Sequence, residues 1–128
     1  LIFIYQTFSS KGSINIANEI EIAQADIAKP KFSINNNSKR IFITAEEGNF
    51  IDSNKILLKK NVKFKSNDFS IETENVIFDR NKQTARSTEK SYFKTNNATI
   101  VSNGFDISEK GNKIVFYGKA SIILKWNT

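Results

Sequence analysis

The sequence predicts an all-β fold: many short antiparallel strands arranged as a meander or as a jellyroll-like pair of facing sheets. Three observations carry this. No stretch sustains the 3.6-residue apolar period of an amphipathic helix, whereas apolar–polar alternation recurs in short runs. Isoleucine and phenylalanine, which suit a pleated half-buried surface, fill the alternating positions, and Asn, Ser, Asp and Gly separate them. Finally, Phe50-Ile-Asp-Ser-Asn-Lys55, Phe78-Asp-Arg-Asn-Lys82 and Phe105-Asp-Ile-Ser-Glu-Lys-Gly-Asn-Lys113 share one plan. Each ends a strand-like run, turns through small polar residues and restarts on a lysine. Asp52, Asp79 and Asp106 stand 27 residues apart, a period that indicates stacked hairpins. Each aspartate is read as starting a turn, its side chain capping local backbone amides.

The elements follow in order. Ile20-Glu-Ile22 opens the first strand. Pro30 holds Lys29-Pro-Lys-Phe-Ser-Ile34 extended but withholds a ladder donor, so this strand lies at an edge or begins there. Asn35–Ser38 is a turn, and Arg40-Ile-Phe-Ile-Thr-Ala45 alternates cleanly. Then come Lys55–Lys59 and Asn61–Lys65, followed by Phe69–Thr73, Val76–Phe78 and Gln83–Arg86. The last group is Tyr92–Lys94, Ala98–Ser102, Phe105–Ile107, Lys113–Tyr117 and Ala120–Lys125. Ile114–Tyr117 and Ile122–Leu124 are apolar on both faces, so their second face must meet a neighbour, a ligand or a partner.

Composition narrows the chemistry. The 128 residues make one domain with room for a proper core. There is no cysteine, hence no disulfide and no thiolate metal site, and no histidine, the commonest general base and metal ligand. The five glycines form no phosphate loop, and no nucleophile–base arrangement stands out. No catalytic residue, cofactor or metal is expected. The repeated aspartates sit on successive rungs rather than converging on one ion. The net charge is +6, with nine basic and six acidic residues in 1–64 and ten and seven in 65–128, so the charge is spread. Sixteen of the nineteen basic residues are lysine, a point charge that attracts phosphates and lipid headgroups and also simply solubilises. Without any methionine, Leu1 is read as lying inside a longer protein. Leu1-Ile-Phe-Ile-Tyr5 fits a first strand, the end of a membrane anchor or the end of a signal h-region; five residues cannot span a bilayer, which needs about 20.

Read in order, several motifs resemble the LptC family of the lipopolysaccharide-export bridge, within the OstA-like superfamily. They are Ala28-Lys-Pro-Lys-Phe-Ser33, Ile43-Thr-Ala-Glu-Glu-Gly48, Lys55-Ile-Leu-Leu-Lys-Lys-Asn-Val62, Phe69-Ser-Ile-Glu-Thr-Glu-Asn-Val-Ile-Phe78 and Ile114-Val-Phe-Tyr-Gly-Lys-Ala-Ser-Ile122. The resemblance covers roughly residues 18–125. Lys60 departs from it, standing where the family's hairpin has glycine. The resemblance implies a twisted β-jellyroll over residues 13–128, with residues 1–12 as the end of an anchor or a linker. It implies a binding protein rather than an enzyme, held on the periplasmic side of the inner membrane by an N-terminal helix. Its expected partners are lipopolysaccharide, the jellyroll subunits of an ABC transporter, and a periplasmic bridge protein of the same fold.

By alternation the inward set is Ile41, Ile43, Ile56, Leu58, Val62, Phe64, Ile71, Val76, Phe78, Ile100, Ile107, Ile114, Phe116, Ile122 and Leu124. Under the resemblance, an acyl-chain groove would draw on Ile43, Ile56, Leu58, Val62, Phe64, Ile71, Phe78, Ile100, Ile107, Phe116 and Ile122. Plain core packing is the simpler reading for any one of them. Ile20, Ile22, Ile114, Phe116, Ile122 and Leu124 would mark partner-facing edges. Lys55, Lys59, Lys63 and Lys65 fall on the opposite face of one hairpin, as a solvated side or as one that meets phosphates or the membrane surface. Trp126 is either a partner contact or a cover for the last strand. Two rival functions stand beside this reading. One is a soluble OstA-like bridge protein of the LptA type. The other is a basic β-domain for nucleic acid, which would want aromatics interleaved with Lys and Arg. Tyr5, Tyr92, Tyr117 and Trp126 do not cluster, so no nucleic-acid partner is expected.

Overall fold

The structure, a computed structural model, describes residues 26–119 and 121–126. Within them twelve strands and one 3₁₀ turn follow one another. These are β1 (Ile27–Ala28), β2 (Lys31–Asn35), β3 (Arg40–Thr44), β4 (Glu47–Phe50), β5 (Lys55–Lys65), β6 (Ser70–Asp79), β7 (Thr84–Ser87), β8 (Ser91–Lys94), β9 (Thr99–Ser102), β10 (Phe105–Ser108), the turn Glu109–Gly111, β11 (Lys113–Phe116) and β12 (Ile122–Lys125). The strand expected at Ile20–Ile22 lies outside the described residues. Among the described residues no helix is long and apolar enough to cross a membrane.

Among the described residues all pairings are antiparallel and form one sheet that does not close. The long hairpin β5–β6 is its spine. Near Lys55 and Asp79 the hairpin is flanked by β4–β1 on one side and β7–β10–β11–β12 on the other, which makes layer 1. Near Lys65 and Ser70 it is flanked by β3–β2 and by β8–β9, which makes layer 2. The result is an all-β, jellyroll-like fold whose two layers face each other across the bent spine.

The bend has a local cause. The register slips between Lys59 and Val62, where Lys60 and Asn61 together oppose Glu74. Lys60 (φ 69°) and Asn61 (φ 55°) are both left-handed. This β-bulge sharpens the twist and turns the strand from one layer into the other. The sequence reading divides the spine into Lys55–Lys59 plus Asn61–Lys65, and Phe69–Thr73 plus Val76–Phe78. The structure joins each pair into one strand, because a bulge lets the ladder resume. Lys60 sits at the crux of the turn. A left-handed residue other than glycine costs about 1–2 kcal/mol. The exposed Lys60–Glu47 ion pair (2.8 Å) offsets little of that in water. Lys60→Gly is therefore expected to raise the urea midpoint, despite the loss of the ion pair. A lowered midpoint would mean that the bulge is not strained.

Other elements depart in detail. Pro30 joins β1 to β2 as the chain crosses between layers, and β2 is an edge strand, as the proline implied. β4 is absent from the sequence reading because Glu-Gly-Asn-Phe has no alternation; it is set by pairing with β5. Two of the three aspartates start turns. Asp52 Oδ1 accepts from the Asn54 and Lys55 amides (2.8 and 2.9 Å), and Asp79 Oδ1 from those of Asn81 and Lys82 (both 2.9 Å). Asp106 does not. It lies inside β10 on the outer face, bound to Arg86 and Tyr117, and the turn comes later, at Glu109–Gly111. Ile107 and Ser108 must still pair with β11 before the chain can reverse.

Candidate functional site

The inner faces carry ladders of apolar side chains in register. Across layer 2, one row runs Phe32–Ile43–Phe64–Ile71–Phe93–Ile100. Across layer 1, one row runs Ile56–Phe78–Ala85–Ile107–Ile114–Leu124, and beside it runs Phe105–Phe116–Ile122. Cross-strand partners share a face, so each row is set by pairing rather than by sequence proximity. The layers meet through aromatics. Phe64 and Phe105 are edge-on at 5.4 Å, Phe93 and Phe116 at 5.0 Å, and Phe32 tilts against Phe78 at 5.1 Å.

All eleven residues expected in an acyl-chain groove lie on this inner face, but they are not equivalent. Ile43, Ile56, Leu58, Val62, Phe64, Ile71, Phe78, Ile107 and Phe116 are buried in the packed core. Ile100 is only half-buried, packed against that core, and Ile122 is 42% exposed. The reason is positional. Ile100 is on β9 and Ile122 on β12, the last strands of layers 2 and 1 on the same side of the spine. Each keeps an inward orientation with no further strand beyond it among the described residues. The inner face thus emerges at two rims, and Ile122 pairs directly with buried Phe116.

The expected edge residues divide likewise. Ile114 and Phe116 are core residues of β11, one strand in from the edge, while Ile122 and half-buried Leu124 are on edge strand β12. Ile20 and Ile22 lie outside the described residues. Ile123, on the outer face of β12, is 59% exposed. Trp126 covers the end of this strand. Its amide donates to the Asn112 carbonyl (2.8 Å), and its ring stacks on Phe69 at 5.6 Å. Lys39 Nζ stands 3.5 Å from the centre of that ring and has no hydrogen-bond partner among the described residues; burial lowers its pKa, against the raising pull of Asp68.

Sequence reasoning missed two outer-face clusters. Arg86 pairs with Asp106 at 3.1 Å, and the Tyr117 hydroxyl donates to the same carboxylate. This bond, together with burial, raises the Tyr117 pKa above the ordinary phenol value. A raised folded-state value means that the stabilisation is complete below about pH 10 and is lost as pH rises through it. Tyr117→Phe is expected to flatten the alkaline fall of the thermal midpoint; identical alkaline limbs would refute this. The second cluster is a cleft lined by Arg40, Phe42, Thr44, Lys63, Lys65, Ser66 and Asn67. The signal was present in the out-of-phase Phe42 and the out-of-phase lysines, but only the pairing of β3 with β5 brings them together. Among the described residues no group of three or more acidic side chains gathers as a metal site.

A family model described as "Lipopolysaccharide-assembly, LptC-related" matches residues 14–124. No curated protein and no solved structure matches.

Proposed function

Because the chain belongs to the LptC-related family, a component of lipopolysaccharide transport, we propose that it is a relay in that transport. It takes lipopolysaccharide from the jellyroll subunits of an inner-membrane ABC transporter and passes it to the next periplasmic jellyroll protein. An N-terminal helix holds it at the inner membrane. The observation that carries this reading is the rim of the inner face, left uncovered by the described residues, with Ile122 exposed beside buried Phe116.

The energetics favour exchange over tight capture. Sheltering one acyl CH₂ is worth about 0.8 kcal/mol. An aromatic pair contributes about 0.5–1.5 kcal/mol beyond its buried area. A chain entering at the rim would part contacts such as Phe93–Phe116 and replace them with its own. Gains and losses of similar size let a lipid enter one end and leave the other, as a relay requires. The outer edge of β12, unpaired among the described residues, supplies the contact to the next protein, since a free strand edge invites strand addition.

A photo-crosslinking residue at position 122, inserted in cells that make lipopolysaccharide, tests the lipid path. Ile77 is the matched control: it is also 42% exposed but lies on the outer face of layer 1. Position 122 is expected to give lipopolysaccharide adducts and position 77 to give few. Equal yields would sink the interior path.

A further inference from the structure

The interior path leaves the outer face of layer 2 unused. Its rows in register are Lys31–Thr44–Lys63–Glu72–Tyr92–Val101 and Ser33–Phe42–Lys65–Ser70–Lys94–Thr99, with Arg40 beside Asn35 at the end. Alternation forces this outcome: with Ile41, Ile43, Val62 and Phe64 buried, Arg40, Phe42, Lys63 and Lys65 must point out. Among the described residues in these rows there are five cations, and the one acid, Glu72, is taken by Lys94 at 3.7 Å. Among the described residues, no carboxylate is in ion-pair range of Arg40, Lys63 or Lys65. Large apolar side chains stand among them, with Phe42 53% and Val101 55% exposed. The cleft of about 370 Å³ is sunk into this face. Asn35 steadies one wall, accepting from Arg40 Nε at 2.8 Å, with the guanidinium 5.8 Å from the Phe42 ring centre.

We propose that this face docks on an anionic phospholipid surface, with one headgroup phosphate seated in the cleft. The inference goes beyond the relay reading and does not use the interior. Mutually close cations without a counter-charge call for an anion, and the phosphates of a bilayer supply a plane of them. The exposed ring suits the boundary between headgroups and acyl chains, where aromatic side chains collect. One outer row of layer 1 differs: in Leu57–Ile77–Arg86–Asp106–Val115–Ile123 four of the six residues are apolar and the one cation is already paired.

Co-sedimentation of the full chain with vesicles tests this, using phosphatidylcholine alone or mixed with phosphatidylglycerol. Binding is expected only to the mixed vesicles. Lys63→Glu with Lys65→Glu is expected to weaken it by at least about thirtyfold, since each cation near such a surface is worth roughly fivefold and the two losses multiply. Lys82→Glu with Lys119→Glu makes the same change of net charge in turns elsewhere and is expected to cost far less. Phe42→Ser, at an exposed position, is expected to weaken binding without changing Trp126 fluorescence, which guards against misfolding. Three results would overturn the proposal: equal loss from both double variants, equal binding to pure phosphatidylcholine, or release of the protein by glycerol phosphate at matched phosphate concentration. The last would show a site for a free phosphate instead of a surface.

Discussion

Phe64→Ala is expected to cost about 3–5 kcal/mol of folding free energy, the usual effect of emptying a buried aromatic site. Phe64 is fully buried at the middle of its row, between Ile43 and Ile71. It is also where layer 2 touches layer 1, through Phe105. The variant therefore loses apolar burial, an edge-on aromatic contact and the fit between the layers together. Against a typical domain stability of about 5–15 kcal/mol, the loss is a large fraction of the whole. Urea denaturation measures it as a lowered midpoint at unchanged slope. Phe42→Ala is the contrasting variant. Phe42 stands between buried Ile41 and Ile43, but it points to the outer face and is 53% exposed. Exposed substitutions of this kind stay within about 0.5 kcal/mol, so its midpoint is expected to shift little. If Phe64→Ala cost no more than Phe42→Ala, the two layers would not be packed together in solution.

Ile123→Pro is expected to leave the fold intact and to weaken association with the proposed relay partner, a jellyroll protein, by at least about tenfold, the worth of roughly 1.4 kcal/mol. The direction of the β12 amides decides this. The Trp126 amide points at β11, where it meets the Asn112 carbonyl. Successive amides alternate along a strand, so those of Leu124 and Ile122 also face β11, and that of Ile123 faces the free edge. Proline at 123 removes one outward donor and sets a ring against any incoming strand, while the inner ladder keeps its bonds. Leu124→Pro serves as the comparison, because it breaks a bond to β11 and is expected to lower the thermal midpoint. Binding of the purified partner protein to both variants reads the effect. Undiminished binding by Ile123→Pro would place the partner on another surface.

Much of the fold was legible because strand alternation is a local property. Ile41 and Ile43, Ile56 and Leu58, Val62 and Phe64 each announce an inward face through their spacing, and each is buried. The Asp52 and Asp79 turns were legible for the same reason, since an aspartate capping the next amides needs only its own neighbours. Asp106 looked identical in sequence, yet pairing with β7 and β11 placed it in mid-strand beside Arg86. β4 was invisible because its pairing with β5, not its composition, makes it a strand.

The sequence by itself determined an all-β chain, its inward residues, most of its turns and its family resemblance, all of which rest on short-range patterns. Only the tertiary structure decided which strands end a layer. That choice leaves Ile122 exposed while its cross-strand partner Phe116 is sealed, although both obey the same alternation. It also decided that Arg40, Phe42, Lys63 and Lys65 share one cleft, since residues more than twenty positions apart met through the β3–β5 register. Burial depends on what lies across the interface and beyond the edge, and neither is encoded in the period of a single strand.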